Sequence, residues 1–235
     1  MYSIFDQKHI SIPYYQNMLC SELGMDSHAH CLDKSWFEQW PDAVSYQFNS
    51  AGYRTHESID RGCVLVIGDS FTLGLGVNSD QRYTDILEQQ LGHQVANFSL
   101  NGASNDWISR KLEQLLEVLQ PQAVIVHYTF SHRRERPNLH WHDDERTECE
   151  PFYSSQENFD NWRKNFDCIN SLCENLQVIH SFIPDWHDQF VDYAALGQGI
   201  VAPYDMLDFA RDKFHYGILT HQLLARAFTN LLVLE

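Results

Sequence analysis

The chain has 235 residues, 43% of them hydrophobic, with 32 acidic side chains against 16 basic ones and a formal net charge of -16. That length suits one domain with a sizeable core. So acidic a chain argues against nucleic acid and anionic membrane surfaces as partners, because phosphate contacts need clustered Lys and Arg; the nearest thing to a basic run, Arg133, Arg134 and Arg136, is closely followed by acids.

The first residues, Met-Tyr-Ser-Ile-Phe-Asp-Gln-Lys, hold no apolar stretch of signal-peptide length. No segment approaches the ~18 consecutive apolar residues of a membrane span. Six cysteines are scattered without a CxxC pair, so reduced thiols in a cytoplasmic protein are expected rather than a disulfide framework. Residues 1–43 are expected to form an amino-terminal extension packed on the core, with a helix around Trp36, Phe37 and Trp40. Residues 44–235 form the main domain, entered through an extended segment from Val44 to Phe48.

The apolar run 63–67 (Cys-Val-Leu-Val-Ile) ends at Gly68, and continuous apolar runs suit strands buried on both faces of a parallel sheet. A weaker strand signal spans 95–99. Trp107, Ile108, Leu112, Leu115, Leu116 and Leu119 share one helical face. Another apolar run, 123–126, follows Pro121, and the polar stretch 133–157 predicts a long surface loop. Phe159, Trp162, Phe166, Ile169 and Cys173 mark a helix, 177–183 a strand stopped by Pro184, and Leu224, Phe228 and Leu231 the last helix. This alternation predicts a three-layer α/β/α sandwich with a mostly parallel central sheet. Right-handed crossovers then place the loops after the strands along one sheet edge, where ligands bind.

The most informative segment is Val64-Leu-Val-Ile-Gly-Asp-Ser-Phe-Thr-Leu-Gly-Leu-Gly76. It puts Ser70 just past the end of a buried strand, on a turn that Gly68 permits. No Gly-Lys-Ser/Thr makes it a phosphate loop, and Gly74-x-Gly76 lacks the third glycine of a dinucleotide fingerprint. Thr72 occupies the last glycine position of a Gly-x-Ser-x-Gly elbow. Far downstream, Asp212 and His215 stand three positions apart. A serine hydroxyl needs a neighbouring imidazole to take its proton, and that imidazole needs a carboxylate to fix its tautomer. Asp212 and His215 can supply both from one turn of chain.

These segments resemble the blocks of the GDSL, or SGNH, hydrolase family. The segment around Ser70 resembles the first block, Asn97-Phe-Ser-Leu-Asn-Gly102 the second, and Asp212-Lys-Phe-His215 the Asp-x-x-His block; Tyr46-Gln-Phe-Asn-Ser-Ala-Gly-Tyr-Arg54 resembles a lead-in found in one branch. Together they span about 44–232. The resemblance implies a flavodoxin-like sheet order and a serine esterase without metal or cofactor. Ser70 would be the nucleophile, His215 the general base and Asp212 its orienting acid, with amides of Ser70 and Gly102 in the oxyanion hole. The implied substrate is a small neutral ester or an acylated sugar. Acyl transfer to a sugar or other alcohol would use the same triad.

The third block, Gly-x-Asn-Asp, departs from the family. The best register puts Thr129 at the glycine, Ser131 at the asparagine and His132 at the aspartate. Losing one oxyanion donor typically costs about 10²–10³ in turnover. The Ser131 hydroxyl is the candidate replacement donor, unless Asn101, Asn105 or Asn138 reaches the site. The blander account is that residues 131–134 cap a strand and meet the following acids, and the departure leaves open a non-catalytic binding protein of the same fold. Asp69, Asn101, His132, Arg133 and Trp186 are candidate substrate contacts, although Asp69 also suits a structural hydrogen-bond acceptor. His28-x-His30-Cys31 and His140-x-His142-Asp143-Asp144 gather ligand-type residues but lack the paired spacing of a zinc site, so no metal is expected.

Overall fold

The computed structural model describes residues 10–135, 148–149, 154–183, 192–196, 199–201 and 204–234. In chain order the elements are β1 (Leu19–Cys20), α1 (Lys34–Gln39), β2 (Tyr46–Gln47), β3 (Val64–Ile67), α2 (Ser70–Leu73), α3 (Tyr83–Leu91), β4 (Val95–Asn97), α4 (Asn105–Leu119), β5 (Ala123–Tyr128), β6 (Arg133–Arg134), β7 (Glu148–Cys149), α5 (Ser155–Leu172), β8 (Gln177–Phe182), β9 (Ile200–Val201) and α6 (Ile218–Leu231). The central sheet has the order β4-β3-β5-β8-β9, and all its pairings are parallel. The order reverses beside β3, so the residues after β3 sit at the crevice where open α/β sheets bind ligands.

Strand alternation sorts the core into two layers. Val64 and Val66 point towards α3 and α6 and pack with Tyr83, Leu87, Leu224 and Phe228. Leu65 and Ile67 point to the opposite face, where α4 and α5 contribute Trp107, Leu112, Trp162 and Phe166. Every residue of β3 and β5 is buried, as expected for strands covered by helices on both sides. The expected three-layer architecture therefore forms.

Two elements differ from the sequence expectation. α3 separates β3 from β4, where no helix was expected. α5 begins at Ser155, inside the span 133–157 expected as loop, because Ser154 and Glu157 form a capping box that satisfies the first amides of the helix. Within the same span β6 pairs antiparallel with β7.

The amino-terminal residues are built into the larger core layer. Ile10 and Ile12 are buried there, and Tyr15 stacks on Phe48 with ring centroids 4.9 Å apart. The Ile12 amide donates to the Ala51 carbonyl at 2.7 Å, while β1 pairs antiparallel with β2. Gly52 sits at φ +86°, where a Cβ would collide with the Ile12 carbonyl oxygen; both the conformation and the close approach call for glycine. Arg54, at the end of the lead-in motif, is 1% exposed. Its guanidinium donates to the carbonyls of Ser45, Leu73, Gly74 and Val77, which ties the chain leaving α2 to the start of the domain. Among the described residues, no helix is long and apolar enough to cross a membrane.

Besides His215, three of the described histidines are buried. His127 bonds Ser181 and Tyr216 at 3.0 Å each, and His180 bonds the Tyr128 hydroxyl at 3.0 Å. His221 Nδ1 accepts from the Tyr83 amide at 3.2 Å. Burial pushes His127 and His180 down from 6.5 to about 4, and burial with the nearby Arg82 and Arg54 charges pushes His221 down to about 3. The folded protein keeps these rings neutral while the unfolded chain protonates them near 6.5, so the unfolded state binds more protons as pH falls below that value. Stability is therefore expected to be full above pH 6.5 and to decline from there towards about pH 4. Urea midpoints measured between about pH 7 and about pH 5 should show the decline, and His127→Gln should reduce its slope by removing one of the three contributions.

Candidate active site

β3 ends at Ile67, and a Cβ on Gly68 would collide with the Thr72 hydroxyl and lie 3.1 Å from the His127 carbonyl oxygen. Glycine thus lets the chain turn directly into α2, whose first residue is Ser70. Asp69 caps the helix by accepting from the Phe71 amide at 3.0 Å. Gly74 ends it in the left-handed conformation.

The partner segment lies just before α6. Phe209 and Tyr216 form an antiparallel bridge, the Ala210 amide donates to the His215 carbonyl at 2.9 Å, and the Lys213 amide donates to the Ala210 carbonyl at 2.9 Å. This tight loop, with Lys213 at φ +58°, folds Asp212 back onto His215. Asp212 Oδ1 accepts from the amides of Phe214 and His215, each at 3.0 Å, and its Oδ2 lies 2.5 Å from His215 Nδ1. His215 Nε2 lies 2.8 Å from Ser70 Oγ. Burial opposes ionisation of Asp212, but the His215 charge and the hydrogen bonds outweigh it and hold the carboxyl below its ordinary range. An ionised Asp212 accepts a hydrogen bond from Nδ1–H of a neutral ring, which leaves Nε2 free to accept from the serine hydroxyl. The Phe71 ring packs 4.5 Å from the imidazole. Ser70, Asp212 and His215 are all buried.

Gly102 adopts φ +80° with open space where a Cβ would be, and it is half-buried. Its loop is fixed to the Ser70 turn by the Leu100 amide, which donates to the Gly68 carbonyl at 3.2 Å. Ser131 and His132 form the half-buried turn after β5, and His132 stacks on Phe130 at 5.6 Å. Asn101 lies against Gly24 of the amino-terminal segment. Asn105 grips both main-chain groups of Thr129, accepting from its amide at 3.1 Å and donating to its carbonyl at 3.2 Å. Trp186, Asn138, His140 and His142 lie outside the described residues.

Asp69 and Arg133, expected as substrate contacts, are placed on each other. Asp69 is fully buried and accepts from the Thr129 hydroxyl at 2.6 Å and from Arg133 Nη1 at 2.8 Å. This is the structural hydrogen-bond acceptor that the sequence also suited Asp69 to be, and it joins the start of helix α2 to the residues at the end of β5. The same Nη1 donates to Thr129 at 2.9 Å, and the guanidinium lies over the Phe130 ring. Of the third-block positions, Thr129 is thus tied into the Asp69–Arg133 salt bridge through its hydroxyl. Among the described residues, no three His, Cys, Asp or Glu side chains are grouped so as to hold a metal ion. His28 and His30 turn instead to Glu38 and Ser27.

No protein-family model matches the chain, and no curated protein matches it in sequence. Solved structures do match in shape. A G-D-S-L family lipolytic protein from Desulfitobacterium hafniense superposes with a TM-score of 0.51 at 13% identity, covering 73% of this chain and all of the other, 100%. The fold is that of the GDSL/SGNH hydrolases. A carbohydrate esterase, whose active site is described as having divergent catalytic and non-catalytic binding functions, superposes on 81% of this chain and 68% of its own with a TM-score of 0.50 at 14% identity.

Sequence patterns did not reveal the Asp69–Arg133 bridge, because nothing local pairs residues 64 positions apart. The one available signal was the arginine placed shortly after a strand that ends beside the nucleophile. Arg133→Met is expected to leave the buried Asp69 without its cation and to lower stability by about 2–4 kcal/mol. Ser131→Ala, at a half-buried turn, should cost under about 1 kcal/mol. Urea denaturation of the two variants checks this difference.

Proposed function

We propose that the protein is a serine hydrolase that cleaves a carboxylic ester through an acyl-enzyme on Ser70. The observation carrying this reading is the continuous hydrogen-bonded chain from Ser70 Oγ through His215 to Asp212. His215 takes the serine proton at Nε2 as the oxygen attacks the acyl carbon, and the ionised Asp212 stabilises the imidazolium that results. The carbonyl oxygen becomes an oxyanion facing the amides of Ser70 and Gly102. His215 then returns the proton to the leaving alcohol, the ester bond breaks, and the acyl group remains on Ser70. Attack by water, again with His215 as base, releases the acid; attack by another alcohol would instead complete a transfer.

A small neutral ester or an acylated sugar suits the charge. The net charge of -16 disfavours steering of polyanionic substrates. The described arginines near the site are already engaged, Arg133 with Asp69 and Arg134 with the Glu157 carbonyl and Asn158. The altered third block favours a second reading, a binding protein that retains the fold. The carbohydrate esterase with divergent catalytic and non-catalytic functions is a precedent within this fold.

Short-chain p-nitrophenyl esters should be hydrolysed by the wild type, and Ser70→Ala should lose about 10⁴-fold or more in kcat. Equal rates for the two proteins would remove the catalytic reading. Stoichiometric labelling of Ser70 by a fluorophosphonate would remove the binding-only one.

A further inference from the structure

Three distant parts of the chain meet beside the His215 loop. Asp26, in the amino-terminal segment, is fully buried and accepts two hydrogen bonds from Arg211, from Nε at 2.8 Å and from Nη2 at 2.7 Å. Its Oδ2 also accepts from the Tyr46 hydroxyl. That hydroxyl oxygen accepts in turn from the Gly76 amide at 2.7 Å, and the Gly76 carbonyl accepts from the Arg211 amide at 3.3 Å. The contacts close into a ring: Asp26, Arg211, Gly76, Tyr46 and back to Asp26.

The ring spans the two segments whose separation sets the Ser70–His215 distance. Arg211 immediately precedes Asp212, and Gly76 lies in the turn that follows the nucleophile helix. There is no slack between them: a Cβ on Gly76 would lie 2.6 Å from Ala210 Cβ and 2.9 Å from the Arg211 amide. Further anchors fix the same loop to the amino-terminal segment. Arg211 Nη2 donates to the Ser21 carbonyl at 2.6 Å, its guanidinium lies over the Phe37 ring, and the Leu32 amide donates to the Asp212 carbonyl at 3.4 Å. A bidentate carboxylate–guanidinium pair fixes orientation as well as distance. Such a pair, taken out of water, adds little net stability over a well-packed apolar pair, so stability alone does not account for it.

We infer that Asp26, acting through Arg211, is a positioning residue that holds the Asp212–His215 loop at working distance from Ser70. The inference rests on the proposed role of Ser70, His215 and Asp212, but it is testable apart from it. The Lys213–Asp33 pair beside it is the natural comparison, since it joins the same two segments at 2.9 Å through side chains 43% and 37% exposed, where ion pairs contribute little.

The experiment uses the whole chain with two readouts: the downfield proton resonance of His215 Nδ1, which reports the bond to Asp212, and the rate of Ser70 labelling by a fluorophosphonate. Asp26→Asn should move or broaden the resonance and slow labelling by about 10²-fold, the effect of displacing a reacting group by roughly 1 Å. Asp33→Asn should change neither. Tyr46→Phe keeps the ion pair but removes the link to Gly76; it should give the same signature more weakly, and it decides the matter if Asp26→Asn does not fold. An unchanged resonance and a wild-type labelling rate in the folded variants would overturn the inference, as would an equal effect of Asp33→Asn. A wild type that takes up no probe, yet whose resonance shifts in Asp26→Asn, would sink the nucleophile role while sustaining the positioning role.

Discussion

The hydrogen bond of 2.8 Å between Ser70 and His215 joins residues 145 positions apart, and much of the surrounding structure serves to hold that distance. Ser70 follows β3, which is flanked on both sides by paired strands and is buried throughout. Its backbone therefore has little freedom. His215 comes from a short loop closed by the single Phe209–Tyr216 bridge, outside the central sheet. Its position is imposed from outside, by hydrogen bonds from the amino-terminal segment and by the close approach of Gly76. A rigid strand end on one side and a pinned loop on the other are what a proton-transfer geometry demands.

Buried cations do much of this work. Arg54 and Arg211 are buried, with Arg82 and Lys111, and the Arg133 side chain is only 14% exposed. Arg54 collects carbonyls, whereas Arg133 and Arg211 each meet a carboxylate that is fully buried. A chain with only 16 Lys and Arg thus places several of them inside. Asp26, Asp69 and Asp212 are buried as well, so the interior holds charges of both signs.

Most of the fold was legible from sequence because burial leaves a periodic trace. The apolar runs at 63–67 and 123–126 mark strands buried on both faces of the sheet, and the stripes of α4 and α5 repeat at helical spacing. α3 was not, since its nine residues bury only Tyr83, Thr84 and Leu87, too short a stripe to stand out among its polar neighbours. The start of α5 could have been found from Ser154 and Glu157, a capping pair hidden in an otherwise polar stretch. The residues Ser70, Asp212 and His215 stood out because Asp212 and His215 are local and Ser70 has glycines around it. Asp26 did not, because its partner lies 185 residues away and a lone aspartate near the amino terminus carries no spacing signal. Arg133 was noticed, but sequence cannot tell whether a cation beside a site faces the ligand or, as here, a buried carboxylate.

The reach of Asp26 to Arg211 also orders events during synthesis. The amino-terminal segment leaves the ribosome early, when its buried carboxylate has no guanidinium to meet. β3 and the turn at Ser70 follow, and then the Gly102 loop, so the surroundings of Ser70 can gather while His215 is still unmade. Only when residues 211–215 emerge can the ring close and the imidazole swing into place. Contacts so distant in sequence form late and slowly. A chain that has emerged only as far as the Gly102 loop therefore holds Ser70 without its His215 partner.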